Sequence, residues 1–242
     1  MAARQHILEF GVEPVYTFAN FIEGDSNRLA LRAVTTLEGG AATTLTLTGG
    51  EGCGKTHLLR AAVHHRLERC GPGSAWLLDP AVLERALAGG GEGELSRFVA
   101  SCAGGTLVAL DDLEALQQGA PAWQEGVLYL FNRLRENGGH LLIASRVSPH
   151  HLEWLRPDLR SRLLWGPVLV IAPPDDAELE AILTKLAADR QVRLGPELLK
   201  FLCMRLPRRI PAHAAALDRL DRAGLERQRP LTVPLAKEVL GL

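Results

Sequence analysis

Threonine and leucine alternate through residues 42–48, and such strict alternation predicts a β-strand. Glycines follow, and then an apolar periodicity of three to four residues predicts a helix over 55–70. The same alternation of patterns recurs along the chain. Strands are predicted at 74–79, 105–112, 140–145 and 167–174, with helices opened by Pro80 behind an Asp79 cap and over 122–137. The glycine-rich run 89–94 reads as a loop, and Gly138-Gly139 as a helix stop. Strands alternating with helices predict an α/β fold whose parallel sheet is covered on both faces, with ligands at the carboxyl ends of the strands. After Pro173-Pro174 the pattern becomes purely helical, roughly 175–190, 195–205, 211–227 and 233–241. The expected division is a nucleotide-binding domain over 12–174 and a small helical lid over 175–242.

Composition narrows the class. Forty-seven per cent hydrophobic and 23% charged residues suit a globular chain, and no apolar run reaches the roughly 18 residues of a membrane span. The four cysteines are scattered, which favours free thiols in a reducing cytoplasm. A net charge of −1 offers no basic excess for gripping duplex DNA. The eight histidines show no metal-ligand spacing.

The chemistry concentrates where the first strand meets its helix. Gly49-x-x-x-x-Gly54-Lys55-Thr56 is a P-loop in its required context. Glycines let backbone N–H groups face phosphate oxygens, Lys55 reaches the β and γ phosphates, and the Thr56 hydroxyl holds Mg2+. The strand ending in Asp111-Asp112 supplies the second half of such a site. Asp111 would orient the metal and Asp112 would polarise the attacking water.

The stretches YTFANFIEGDSNRLAL, GGEGCGKTHLL and LVALDDLEAL resemble the AAA+ domain of the bacterial replication initiator DnaA. FNRLRENGGHLLIASR, RPDLRSRLLWG and the tail LDRLDRAGLERQRPLTVPLAKEVLGL are closer to the Hda-type regulatory inactivators of DnaA. The resemblance implies an AAA+ fold with ADP or ATP and Mg2+ as ligands. It implies nucleotide contacts from Gly49, Gly52, Gly54, Lys55, Thr56, His57, the lid arginine Arg208 and the strand-end Ser145. Two departures stand out: Arg209, Ile210 and Pro211 follow Arg208, leaving Arg209 as an alternative lid arginine, and Ser145-Arg146 replaces the usual acid-bearing sensor. Arg146 cannot accept a hydrogen bond, so hydrolysis by the chain itself is expected to be weak.

The resemblance further implies an arginine finger at Arg162, acting in trans on ATP held by a neighbour. Arg156 and Arg160 lie close by, and an i,i+4 pair with Asp158 is the competing role. Residues 1–11 contain Gln5, Leu8 and Phe10, which resemble the peptide that docks on the DNA sliding clamp, the β subunit of DNA polymerase III. The implied function is inhibition of re-initiation: docked on the clamp, the protein stimulates ATP hydrolysis by DnaA. The chain ends after the last lid helix, so sequence-specific DNA binding is not expected; without a long apolar run membrane association is not expected either, while a homo-oligomer is compatible. The alternative is an autonomous ATPase or loader acting on single-stranded DNA or a helicase.

Overall fold

The computed structural model describes residues 16–40, 42–79, 107–118 and 121–242. Five strands form one parallel sheet: β1 (Thr44–Thr48), β2 (Ala75–Leu78), β3 (Leu107–Leu110), β4 (His140–Ser145) and β5 (Val168–Val170), in the order β2-β3-β4-β1-β5. The pairing Thr48↔Ser145 and Leu110↔Ile143 brings the carboxyl ends of β1, β3 and β4 to one rim. The helix predicted after Pro80 and the loop at 89–94 lie outside the described residues.

Successive residues of each strand feed opposite faces. On one face Val108, Leu110, Leu141 and Ile143 pack with Trp123 and Phe131 of α3 (Pro121–Glu136) and with Leu159 and Leu163 of α4 (Pro157–Leu163). On the other, Leu107, Ala109, Leu142 and Ala144 pack with Ala30 and Val34 of α1 (Arg28–Thr36) and with Leu58 and Leu59 of α2 (Lys55–Cys70). The threonines of β1 are buried as deeply as its leucines, because β1 is internal and covered on both sides. Burying a hydroxyl costs little only when it is bonded. Thr46 Oγ1 donates to Leu163 O and Thr48 Oγ1 to Leu169 O.

Four helices complete the chain: α5 (Asp176–Asp189), α6 (Pro196–Arg205), α7 (Ile210–Arg227) and α8 (Val233–Leu240). Their apolar sides make a separate core around Leu183, Leu198, Leu202, Leu217 and Leu220. Asp175 caps α5 reciprocally with Glu178, and Glu178 Oε1 also accepts from Ser26 N at 3.0 Å. Gly24 lies so close that a Cβ there would sit 1.8 Å from that carboxylate oxygen. The turn before α1 is thus fastened to the first lid helix.

Candidate functional site

The loop leaving β1 turns through glycines that no other residue could replace without strain. Gly49, Gly52 and Gly54 all have positive φ, of 151°, 76° and 105°. A Cβ on Gly49 would meet Ile171 O at 2.3 Å, and one on Gly52 would meet the Pro211 ring of the lid at 2.5 Å. Gly54 begins α2 without a side-chain cap, so the first amides of that helix keep their hydrogen-bonding capacity for an anion. Lys55 Nζ lies along the loop, donating to Gly49 O at 2.6 Å and Gly50 O at 2.8 Å.

Asp111, at the end of β3, is brought near the Thr56 hydroxyl although β4 separates their strands. Burial pushes the Asp111 pKa up, while the bonds from Thr56 and Asp112 N–H hold it down in part. A hydroxyl and a carboxylate paired beside an uncapped, glycine-walled helix start make an oxygen donor set that fits Mg2+ on a nucleotide phosphate. Asp112 has φ 48° and faces Arg146, whose Nε is 3.8 Å from its Oδ1.

Ser145, predicted to touch nucleotide, closes β4. It is fully buried, and its hydroxyl lies 2.7 Å from Glu114 Oε1 and 2.6 Å from Val147 O. Glu114 Oε1 also accepts from the N–H groups of Arg146 and Val147. No reading of the motif singled out Glu114; its placement in the turn after the two acids was the available signal. His57, also predicted to touch nucleotide, instead fastens residues 16–21 to α2. Its Nε2 is 2.9 Å from Thr17 O and 3.0 Å from Asn20 Oδ1, both acceptors, which places the proton on Nε2. Tyr16 and Phe21 pack edge-on against its ring, and burial holds its pKa below the usual histidine value.

The two lid arginines separate. Arg208 turns to Pro174 O and Asp176 at the start of the lid, away from the loop. Arg209 crosses to the P-loop, its Nη1 2.8 Å from Glu51 Oε2, and Ile210 and Pro211 behind it abut Gly52. The residue left as the alternative is therefore the one that reaches the cradle.

Arg162 occupies the last turn of α4. Leu159 and Leu163 are on the buried side of this helix, and Pro157 starts it. The competing pair with Asp158 does not form, because Arg156 takes both oxygens of that carboxylate, at 3.0 and 3.3 Å, and Glu125 besides. Among the described residues Arg162 has no carboxylate partner; its guanidinium carbon lies 4.1 Å from the ring centre of Trp165, which is 50% exposed. Gly166 then passes the β1 backbone so closely that a Cβ would fall 1.7 Å from Thr44 O, which fixes where Trp165 can stand. Gln5, Leu8 and Phe10 lie outside the described residues.

A five-stranded parallel sheet with a P-loop after its inner strand β1, acids at the end of β3 one strand removed and an all-helical lid define an AAA+ P-loop protein. The family model for the bacterial DnaA ATPase domain matches residues 12–171, and that for the lid domain of Hda matches 175–240. The chain belongs to the DnaA-related family, as an Hda-type member. Domain III of DnaA from Thermotoga maritima superposes with a TM-score of 0.83 at 22% identity, covering 95% of this chain and 97% of that one. AMPPCP-bound DnaA from Aquifex aeolicus gives 0.75 at 24%, covering 90% and 69%. The RuvB Holliday junction branch migration motor of Thermotoga maritima gives 0.69 at 16%, covering 93% and 71%. At these identities the likeness is one of fold. Among the described residues no helix is long and apolar enough to cross a membrane.

Proposed function

We propose that this protein binds ADP or ATP in the cradle at Gly49–Thr56 and acts on a second nucleotide, the ATP held by the initiator DnaA. Thr56 and Asp111 would hold Mg2+, which supplies charge neutralisation to the phosphates. Lys55 reaches the phosphates, the lid arginine Arg209 approaches them from above, and residues 16–21 wall the pocket beside Gly54. Gln5, Leu8 and Phe10 would dock on the sliding clamp, with the two apolar side chains filling a pocket and the amide bonding at its rim. Arg162 would then stabilise charge on the phosphoryl group of the partner's ATP. The observation that carries this reading is a guanidinium on an exposed ring with no carboxylate to quench it among the described residues.

The decisive experiment mixes the purified protein with clamp-loaded primed DNA and ATP-loaded DnaA and follows phosphate release. Acceleration that needs all three components is expected. No acceleration, together with vigorous turnover by the protein alone on single-stranded DNA, would overturn the reading in favour of an autonomous motor.

Weak hydrolysis by the chain itself is supported by the ion pair that ties Asp112 to Arg146. A carboxylate beside a guanidinium is a poorer polariser of water than a free one. The pair is exposed, so its strength is about 1 kcal/mol at most. Arg146→Ala is accordingly expected to raise basal ATP turnover by about two- to fivefold, measured by single-protein phosphate release.

A further inference from the structure

Trp165 carries a second cation. The guanidinium carbon of Arg135, in the last turn of α3, lies 4.7 Å from the same ring centre that Arg162 approaches to 4.1 Å. Phe131 meets the Trp165 ring edge-on at 5.6 Å and also lies beneath Arg162. An aromatic face attracts a cation, but two like charges on one ring repel each other and are sustained only at some cost. Neighbouring carboxylates could have relieved that repulsion. Glu136, adjacent to Arg135, is taken by Arg133 at 3.1 Å, and Asp158 is taken by Arg156. Among the described residues neither Arg135 nor Arg162 has an acidic partner. Glu136 and Asp158 are committed to other arginines, and among the described residues two planar forks stand on one ring with no ion pair of their own.

We propose that Arg135 is a second trans-acting arginine, and that Arg135 and Arg162 on Trp165 form one site for the terminal phosphate of a nucleotide held by a neighbouring AAA+ subunit. This rests on the function proposed above. Guanidinium forks match phosphate oxygens in pairs, and a dianionic group bound by both would offset their like charge. The phosphate backbone of DNA shares that chemistry but fits less well. A DNA grip uses a track of cations, whereas this pair is bordered by Glu125, Glu136 and Asp158 on a chain of net charge −1. Trp165, seated by Phe131 and by the close passage of Gly166, is the positioning residue.

The test uses the full chain with clamp-loaded DNA and ATP-loaded DnaA, titrating the protein so that maximal rate and half-saturation separate. Arg135→Ala is expected to lower the maximal rate of phosphate release by about tenfold or more, with half-saturation nearly unchanged and partial recovery in Arg135→Lys. Thermal melting of both variants controls for folding. A full maximal rate in Arg135→Ala, where Arg162→Ala is inactive, would refute the second arginine and leave the regulator intact. An Arg162→Ala protein as active as wild type would remove the trans-acting role of Arg162 proposed above, and this proposal with it. A change in half-saturation alone would make Arg135 a docking contact, and loss of binding to single-stranded DNA with unchanged stimulation would reassign the patch to DNA; either result overturns the proposal.

Discussion

Arg162→Ala is expected to lower stimulation of the initiator's ATPase by about 10³-fold or more, while leaving nucleotide affinity, clamp binding and fold intact. The size follows from what an arginine does when it meets a transferring phosphoryl group: it offsets charge that grows only in the transition state, in a site from which water is excluded. The sparing of the fold follows from the surroundings. Leu159 and Leu163 hold α4 to the sheet, and the lost stacking on Trp165 is an exposed contact worth about 0.5–1 kcal/mol. Phosphate release from ATP-loaded DnaA gives the first quantity, and calorimetric titration with ADP the second. Undiminished stimulation by the variant would dispose of the trans-acting role.

Lys55→Ala should weaken nucleotide binding by about 10²- to 10³-fold. Loss of a charge-assisted contact to phosphate costs about 2–5 kcal/mol when its partner is left in a closed site. In the structure the Lys55 ammonium spans the carbonyls of Gly49 and Gly50, within the same turn that aims backbone N–H groups at the cradle. Nothing in either core depends on it. Bound nucleotide stabilises the folded state by mass action, so wild-type protein should melt higher as ATP or ADP is added, and the variant should not respond over the same range. Equal nucleotide affinities in the two proteins would show that the cradle is not where the ligand sits.

The parallel sheet, the P-loop and the change to helices were legible because each is encoded by neighbours. Alternation at 42–48, the spacing of Gly49 to Thr56 and the apolar strand before Asp111 are local patterns with one physical reading. The pairings that decide the site are not local. Arg209 and Glu51 are 158 positions apart, and Ser145 and Glu114 are 31 apart. Periodicity carries no information about such contacts. The competing role for Arg162 rested on local arithmetic. The i,i+4 rule offered Asp158 to Arg162, but Arg156, just before the helix, presents a two-pronged guanidinium to that carboxylate. The resemblance implied nucleotide contacts for Ser145 and His57, and the protein partners that each has in the structure, Val147 and Thr17, were not legible from it.

Glu178 joins two parts of the molecule that lie 152 positions apart in sequence. Its carboxylate caps the lid's first helix and at the same time holds the amide of Ser26, with Gly24 pressed against it. Any swing of the lid that opens or shuts the cradle must therefore drag the turn at 24–27. That turn continues directly into the segment clamped by His57. Traction at the amino end and tilt of the carboxyl-terminal helices are in this way two ends of a single lever.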